Sequence, residues 1–418
     1  MNIINLNTDG KIIFKNFSYL SLLRVFNILS QYIIVSFLVR TLGSETYGVF
    51  VWAFSIIQYL VIIVNFGFNT YAAKYITDKR NNQDELNKIF SAILGIKLSF
   101  LLITVLLFLL SLYFIPALRD NGALLIILLG FALGEALFPI WFFQGKEKLG
   151  TPTKIVFIFK FLLILLTILL ITSSQDILKY AILLSSSQFL IGLAGLVTAL
   201  TKFDTKLIRV PLNYLGKTIK EGFIFFIGSL FSKTFNLAVI FLAGIYFTMD
   251  DVTSFDISFK IIAAFQIPFE TLSMVLFPTI SRSKDVKMNE KIIFLATAVS
   301  FIVWGFVFWQ ADLLMSIMGG DELLTYSPLL QNLSVLIPIV VITYFLGTNT
   351  LVAFGYHKEF NLSIILPSIL YILTLLILWF VDSISIQTIL YSRIMVDTLM
   401  MSFRMIIAFK YKLIFTSR

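Results

Sequence analysis

The chain is built from apolar runs that are too long and too numerous for a water-soluble core. Twelve stretches stand out, at roughly 17–39, 48–70, 89–113, 122–143, 155–172, 177–200, 223–247, 257–281, 292–316, 329–354, 361–381 and 387–409. Each holds close to the ~20 residues that a helix needs to cross a bilayer. Backbone polar groups cannot stay unpaired in lipid, and segments this long on short loops do not close a barrel, so every span reads as helix. The expected fold is all-α and integral to the membrane, with about twelve transmembrane helices. Only 13% of the 418 residues are charged, and no polar stretch is long enough to form a separate globular domain.

Charge sets the orientation. The net charge is +9, which in a soluble protein would raise the question of nucleic acid. Here the basic residues lie in alternate loops, and no nucleic-acid partner is expected. Of the 32 Lys and Arg residues, 22 fall in the two termini and the loops on their side, while Arg40 and Arg119 are the 2 in the opposite loops. The positive-inside rule then puts both termini in the cytoplasm. The first sixteen residues are polar, with no short apolar core and cleavage site, so no cleavable signal peptide is expected. With no cysteine and one histidine, His357, in a short basic loop, neither a disulfide nor a metal site is expected.

The longest basic loop, TKFDTKLIRVPLNYLGKTIKEG at 201–222, falls mid-chain and alternates apolar with basic residues. It suits an interfacial amphipathic helix. The expected organisation is an N-terminal lobe of six spans over 1–205, an amphipathic cytoplasmic linker over 206–222 and a C-terminal lobe of six spans over 223–418. An internal repeat agrees. Arg24-Val25-Phe26-Asn27 matches Lys233-Thr234-Phe235-Asn236, and Gln58 matches Gln266 at nearly the same offset. Parallel repeats of this kind enclose a cavity between halves.

Polar residues inside spans are costly in lipid, about 2.5–3.5 kcal/mol for an ionised side chain at the centre, so they face a cavity or a partner. The cations are Arg24, Lys97, Lys160, Lys179, Lys233, Lys260, Arg393 and Arg404; the acids are Glu135, Glu270 and Asp397. Pairing alone cannot neutralise this excess, so an anionic ligand or a wet cavity is implied. Some of these charges have a plainer reading. Lys179, Lys260 and Arg404 sit near span ends, where long side chains snorkel to the interface, and Lys97 and Lys160 lie only a turn or two deeper. Arg393 and Asp397, four apart, suit a structural ion pair. Glu135 and Glu270, near mid-span with no cation four residues away, are candidate proton carriers. Amides form polar stripes on the same helices: Asn27 and Gln31; Gln58, Asn65 and Asn69; Asn236; and Gln266. Soluble catalytic machinery is missing. Gly216-Lys217-Thr218 ends like a phosphate loop, but Pro211 stands where its first glycine belongs. The chain is expected not to be an enzyme, and any uphill transport must draw on an ion gradient or a downstream sink.

Three segments together resemble the polysaccharide repeat-unit flippases, of Wzx type, of the multidrug/oligosaccharidyl-lipid/polysaccharide exporter superfamily. They are Val39-Arg40-Thr41-Leu42-Gly43-Ser44-Glu45-Thr46-Tyr47-Gly48; Phe66-Gly67-Phe68-Asn69 with Ala72-Ala73-Lys74 and the loop TDKRNNQDEL; and Phe138-Pro139-Ile140-Trp141-Phe142-Phe143-Gln144-Gly145-Lys146-Glu147-Lys148. Phe277-Pro278-Thr279-Ile280-Ser281 is also similar to the family. Lys74 departs from a common arginine and Ser36 from a common proline. The resemblance implies two lobes around a central cationic cavity in a bacterial inner membrane. It also implies a cargo of undecaprenyl pyrophosphate carrying an oligosaccharide, moved from the cytoplasmic to the outer leaflet. A polysaccharide polymerase and a chain-length regulator would be its protein partners, H+ or Na+ its coupling ion, and no cofactor is implied. On that footing Arg24, Lys233, Lys97, Lys160 and Lys260 are the candidates for the pyrophosphate. The amides named above would meet the sugars, and Glu135, Glu270 and Asp397 would couple the ion. A lipid II flippase, a drug or toxin antiporter of the same superfamily, and a membrane-bound polymerase or glycosyltransferase remain the competing readings. The cation excess argues against the antiporter, and the lack of a substantial external loop against the polymerase.

Overall fold

The computed structural model of the protein describes residues 30–79 and 82–414, and these fold into helices without a strand. The first lie in the order α1 (Ser30–Leu42), α2 (Ser44–Asn65), α3 (Phe68–Lys79), α4 (Gln83–Phe114), α5 (Pro116–Asp120), α6 (Gly122–Leu137), α7 (Ile140–Gly145), α8 (Gly150–Leu170) and α9 (Ile177–Lys202). They are followed by α10 (Leu212–Tyr246), α11 (Met249–Ser283), α12 (Val286–Trp309), α13 (Ala311–Gly319), α14 (Ser327–Leu333), α15 (Leu336–Tyr344), a π-helix (Phe345–Val352), α16 (His357–Phe380) and α17 (Ile386–Lys410).

Among the described residues, 8 helices are long and apolar enough to cross a membrane, or up to 10 if each bent pair is one span. Where the last expected span lies, α17 is 25 residues long but carries Arg393, Asp397 and Arg404. Where the first lies, only Ser30–Leu42 is described. Helices therefore lie at eleven of the twelve expected positions and over the described part of the first, while eight to ten meet the length and composition of a span among the described residues.

Local chemistry explains where helices start and break. Thr248 and Asp251 cap each other's backbone at the start of α11, and Ser385 and Thr388 do so at α17. Pro139 separates α6 from α7, and Phe138 before it is extended, as the proline ring demands. The expected span 329–354 is in three pieces, α14, α15 and the π-helix. The expected external loop 317–328 is mostly helical, holding the end of α13 and a 3-10 segment Asp321–Tyr326.

The chain divides into two compact units. The N-terminal unit holds the described residues up to Thr46 and Ala53–Leu230; the C-terminal unit holds Tyr47–Trp52 and the chain from Phe231. Residues 206–211, the start of the expected linker, are irregular, and the rest of it is the first part of α10.

In the N-terminal unit two of the segments that carry the family resemblance, 66–74 and 138–148, meet in one core. Phe66 and Gly67 break the helix between α2 and α3 with positive φ. A Cβ at Gly67 would lie 2.4 Å from the Phe225 carbonyl carbon, so this glycine serves both backbone conformation and close approach. Phe68 packs with Trp141, Phe142, Phe143, Phe90 and Ile76. Gly145 lets α7 lie on Ile76 and the Ala73 carbonyl. In the C-terminal unit, Gly48 of the first motif lies against the Met249 backbone, and Gly244 against the Trp52 ring. These motifs are packing devices, which explains why they say nothing about a sugar. Outward faces are apolar, as lipid requires: Leu102, Leu106 and Leu107 on α4, Phe294 and Ile302 on α12, and Trp379 and Phe380 on α16 are all exposed.

Candidate functional site: two charged clusters within apolar helices

The first cluster lies in the N-terminal unit. It forms because α6 and α9 approach almost backbone to backbone: a Cβ on Gly134 would sit 2.3 Å from the Gln188 carbonyl oxygen, and one on Gly192 2.3 Å from that of Gly134. Small residues are how helices come together in lipid, where no hydrophobic force drives them. The approach brings Gln188 to Glu135, and its Nε2 donates to Oε1 at 2.7 Å. Asn65 on α2 donates to Oε2 at 3.4 Å. Lys97 on α4, 1% exposed, donates to the backbone carbonyl of Glu135 at 2.9 Å. Lys160 on α8 is half-buried and interacts electrostatically with the same carboxylate. Four residues from four other helices therefore gather around Glu135.

The second cluster lines a cavity of about 380 Å³ in the C-terminal unit. Arg393 pairs with Asp397 one turn on, and its Nε donates to Asn236 Oδ1 of α10 at 2.9 Å. The rings of Phe235 and Phe259 flank its guanidinium at 5.7 and 5.9 Å. Arg404 donates from Nε to Ser363 Oγ at 2.8 Å and from Nη1 to the Thr343 carbonyl at 2.7 Å, with the Phe360 ring 4.7 Å away. A Cβ on Gly347 would fall 2.3 Å from Arg404 Nη1, so the guanidinium lies against bare backbone of the π-helix. That segment is held from both sides. Asn349 donates to the Ser273 carbonyl at 3.0 Å, and Asn289 donates to Thr350 Oγ1 at 2.9 Å. π-Helical turns are rare and often found at functional sites.

A smaller polar group joins α2 and α11 within the C-terminal unit. Lys260 pairs with Asp256 and donates to the Tyr47 hydroxyl at 3.4 Å, and that hydroxyl donates to Asp256 at 2.8 Å.

The sequence-derived candidates distribute as follows. Arg24 and Asn27 lie outside the described residues. Glu135, Lys97, Lys160 and Asn65 come together; Asp397, Asn236 and Gln266 share the cavity, where Gln266 donates to the Leu336 carbonyl at 3.0 Å. Lys260 is bound into its own pair. Lys233 and Gln31 are exposed, Gln58 and Asn69 half-buried, and Glu270 is half-buried one turn beyond Gln266. One expectation needs correction. Arg404, read as snorkelling from a span end, is 4% exposed and fixed inside the cavity, because Ser363 and Thr343 on neighbouring helices give it partners. Arg393 and Asp397 do form the expected ion pair. Gln188 and Asp256 were missed. The first was legible as a lone amide in an apolar span, and the second as an acid four residues before Lys260.

These features define an all-α membrane protein with charged groups buried between its helices, and solved structures of transporters share the fold. One titled lipid II flippase MurJ, inward closed conformation, matches with a TM-score of 0.74 at 13% identity, covering 94% of this chain and 87% of that one. An inward-facing multidrug resistance MATE family transporter of the MOP superfamily matches with a TM-score of 0.70 at 15% identity, covering 95% and 96%. The chain belongs to the polysaccharide biosynthesis protein family, whose description matches residues 13–284. Two curated relatives carry the name "Putative O-antigen transporter". The one from Escherichia coli (strain K12) is 24% identical over 375 residues, covering 88% of this chain and 90% of its own. The one from Shigella dysenteriae is 24% identical over 363 residues, covering 86% and 91%. The resemblance to repeat-unit flippases thus holds at the level of family and fold.

Proposed function

We propose that the protein is a transporter, not an enzyme, of the bacterial inner membrane, and that it moves oligosaccharide repeat units linked to undecaprenyl pyrophosphate from the cytoplasmic to the outer leaflet. The observation that carries this reading is the excess of buried or half-buried cations: Lys97 and half-buried Lys160 around Glu135, and Arg393 and Arg404 around Asp397. A net positive interior favours an anionic cargo over a cationic drug. Lobes 1–205 and 223–418 would alternate access, with Arg24 and Lys233 reaching the pyrophosphate and an H+ or Na+ gradient driving the cycle. Vesicles reconstituted with the protein and a fluorescent lipid-linked oligosaccharide test this. The label should reach the opposite leaflet faster than in empty vesicles. Acceleration of lipid II or of a cationic drug alone would transfer the chain to one of the competing readings.

Orientation follows from the charge bias. Reporter tags after residues 80, 215 and 286 should read cytoplasm, and tags after 44, 250 and 320 the outside. A cytoplasmic report at 250 would overturn the two-lobe arrangement.

Coupling is assigned first to Glu135, because Gln188, Asn65 and Lys97 hold it in one geometry. Glu135→Gln keeps the shape and hydrogen-bonding reach and removes the charge. Gradient-driven flipping should fall by about tenfold or more, the effect of losing a contact of roughly 1.5–3 kcal/mol to a charged group, while the protein accumulates normally. Unchanged flipping with this variant would remove Glu135 from coupling and leave Glu270 and Asp397.

A further inference from the structure

The cavity of the C-terminal unit is equipped for a ligand of its own. A guanidinium has five N–H donors. Arg393 commits Nε and Nη1 to Asn236 and Asp397, and Arg404 commits Nε and Nη1 to Ser363 and the Thr343 carbonyl. The Nη2 group of each arginine makes no hydrogen bond to the described residues, although the two side chains are only 7% and 4% exposed and both line the cavity. Neither Nη2 atom is fully buried; both are open to the cavity and can donate to a ligand there. Two guanidiniums against one carboxylate leave one positive charge, which fits a monoanion better than a pyrophosphate. The forked geometry of arginine fits a carboxylate.

The walls add a second requirement. Phe235, Phe259 and Phe360 present flat apolar faces, while Gln266, Thr343 and Thr348 supply amide and hydroxyl groups. Rings beside hydrogen-bonding groups suit the two faces of a sugar. A volume of about 380 Å³ lies near the small end of ligand pockets, which run ~300–1,000 Å³, and admits one ring, not a chain. We propose that this cavity binds an acidic monosaccharide, a hexuronic acid, with its carboxylate on Arg404 and Arg393 and its ring between the phenylalanines. That the sugar belongs to a transported lipid rests on the transport reading above; the binding chemistry does not.

The test begins with calorimetric titration of the purified full-length protein in nanodiscs. Glucuronate should bind, and glucose, which lacks the carboxylate, and acetate, which lacks the ring, should each bind at least about tenfold more weakly. Arg404→Gln keeps a donor where Nε meets Ser363 but removes the charge and the Nη1 bond to Thr343, and should weaken glucuronate by about tenfold or more. Val340→Phe fills the cavity without touching a charge and should do the same, so the test survives if the arginine variant fails to accumulate. Lys179→Gln, on an exposed side chain, should bind as the parent does. Equal binding of glucose or acetate, no binding of glucuronate by the parent, or full binding by both cavity variants would overturn the site. A second arm compares flipping of lipid-linked units with and without a uronic acid in the vesicles above. Faster flipping of the acidic unit supports its use by the cargo. Equal rates with glucuronate binding intact overturn that use. Flipping without any glucuronate binding overturns the site and leaves the transport reading standing.

Discussion

Replacing Gly134 with leucine should abolish accumulation of the protein in the membrane. The Cβ alone would lie 2.3 Å from the Gln188 carbonyl oxygen and 2.6 Å from the Phe189 nitrogen. Those are backbone atoms of a packed helix and cannot swing aside. To admit a leucine, α6 and α9 must separate, with a loss of about 3 kcal/mol from overpacking and lost contacts. The separation would also draw Gln188 away from Glu135, so any protein that survives should flip poorly even with the carboxylate in place. Gly305→Ala on α12 is the control. Nothing lies within 4 Å of its added Cβ, and alanine favours the helix by roughly 0.5–1 kcal/mol. Membrane abundance and thermal melting in detergent check both variants. A Gly134→Leu protein with parental abundance and melting would contradict the close approach of α6 and α9.

Asp397→Leu should be nearly as damaging, and a second substitution should repair the damage. Arg393 is buried and its charge partner is Asp397 one turn away. Removing the acid leaves a guanidinium among phenylalanine rings, a loss of about 3–5 kcal/mol for a broken buried pair. Arg393→Leu strands the carboxylate and should cost about as much. The double variant, with leucine at both positions, removes the uncompensated charge and should recover most of the loss. A double-mutant cycle in melting free energy then gives a favourable coupling above the ~0.5–3 kcal/mol usual for neighbours, because both single losses of about 3–5 kcal/mol largely vanish in the double variant. Export should stay absent in the stable double variant, which separates the folding role of the pair from its role in transport. Single variants that each melt within about 0.5 kcal/mol of the parent, the range of ordinary surface changes, would show that water reaches the pair and that its burial contributes little.

The positions of the helices were legible because the bilayer forces one solution. Each apolar run of span length must be helical, and every expected span whose centre lies among the described residues has a helix there. The family resemblance was legible for a different reason. Gly67, Trp141 and Gly145 serve tight local packing, and tight packing tolerates few residue types. The Arg393–Asp397 pair could be read from a spacing of four on one helix. The partners of Glu135 could not. Lys97, Gln188 and Asn65 lie 38, 53 and 70 residues from it in sequence, and periodicity within a helix carries no information about which helix it will face.

Arg404 shows the same limit from the other side. Distance from a span end suggested an interfacial cation, since a single helix in lipid offers an arginine nothing but the interface. Only the tertiary structure supplies Ser363 from α16, the Thr343 carbonyl from α15 and the bare backbone of Gly347. The sequence by itself determined the solvent, the helical class and the family. Hydropathy and charge are read one residue at a time, and short packing motifs one segment at a time. The tertiary structure alone decided which charges are buried together, because that depends on how helices distant in the chain pack against one another.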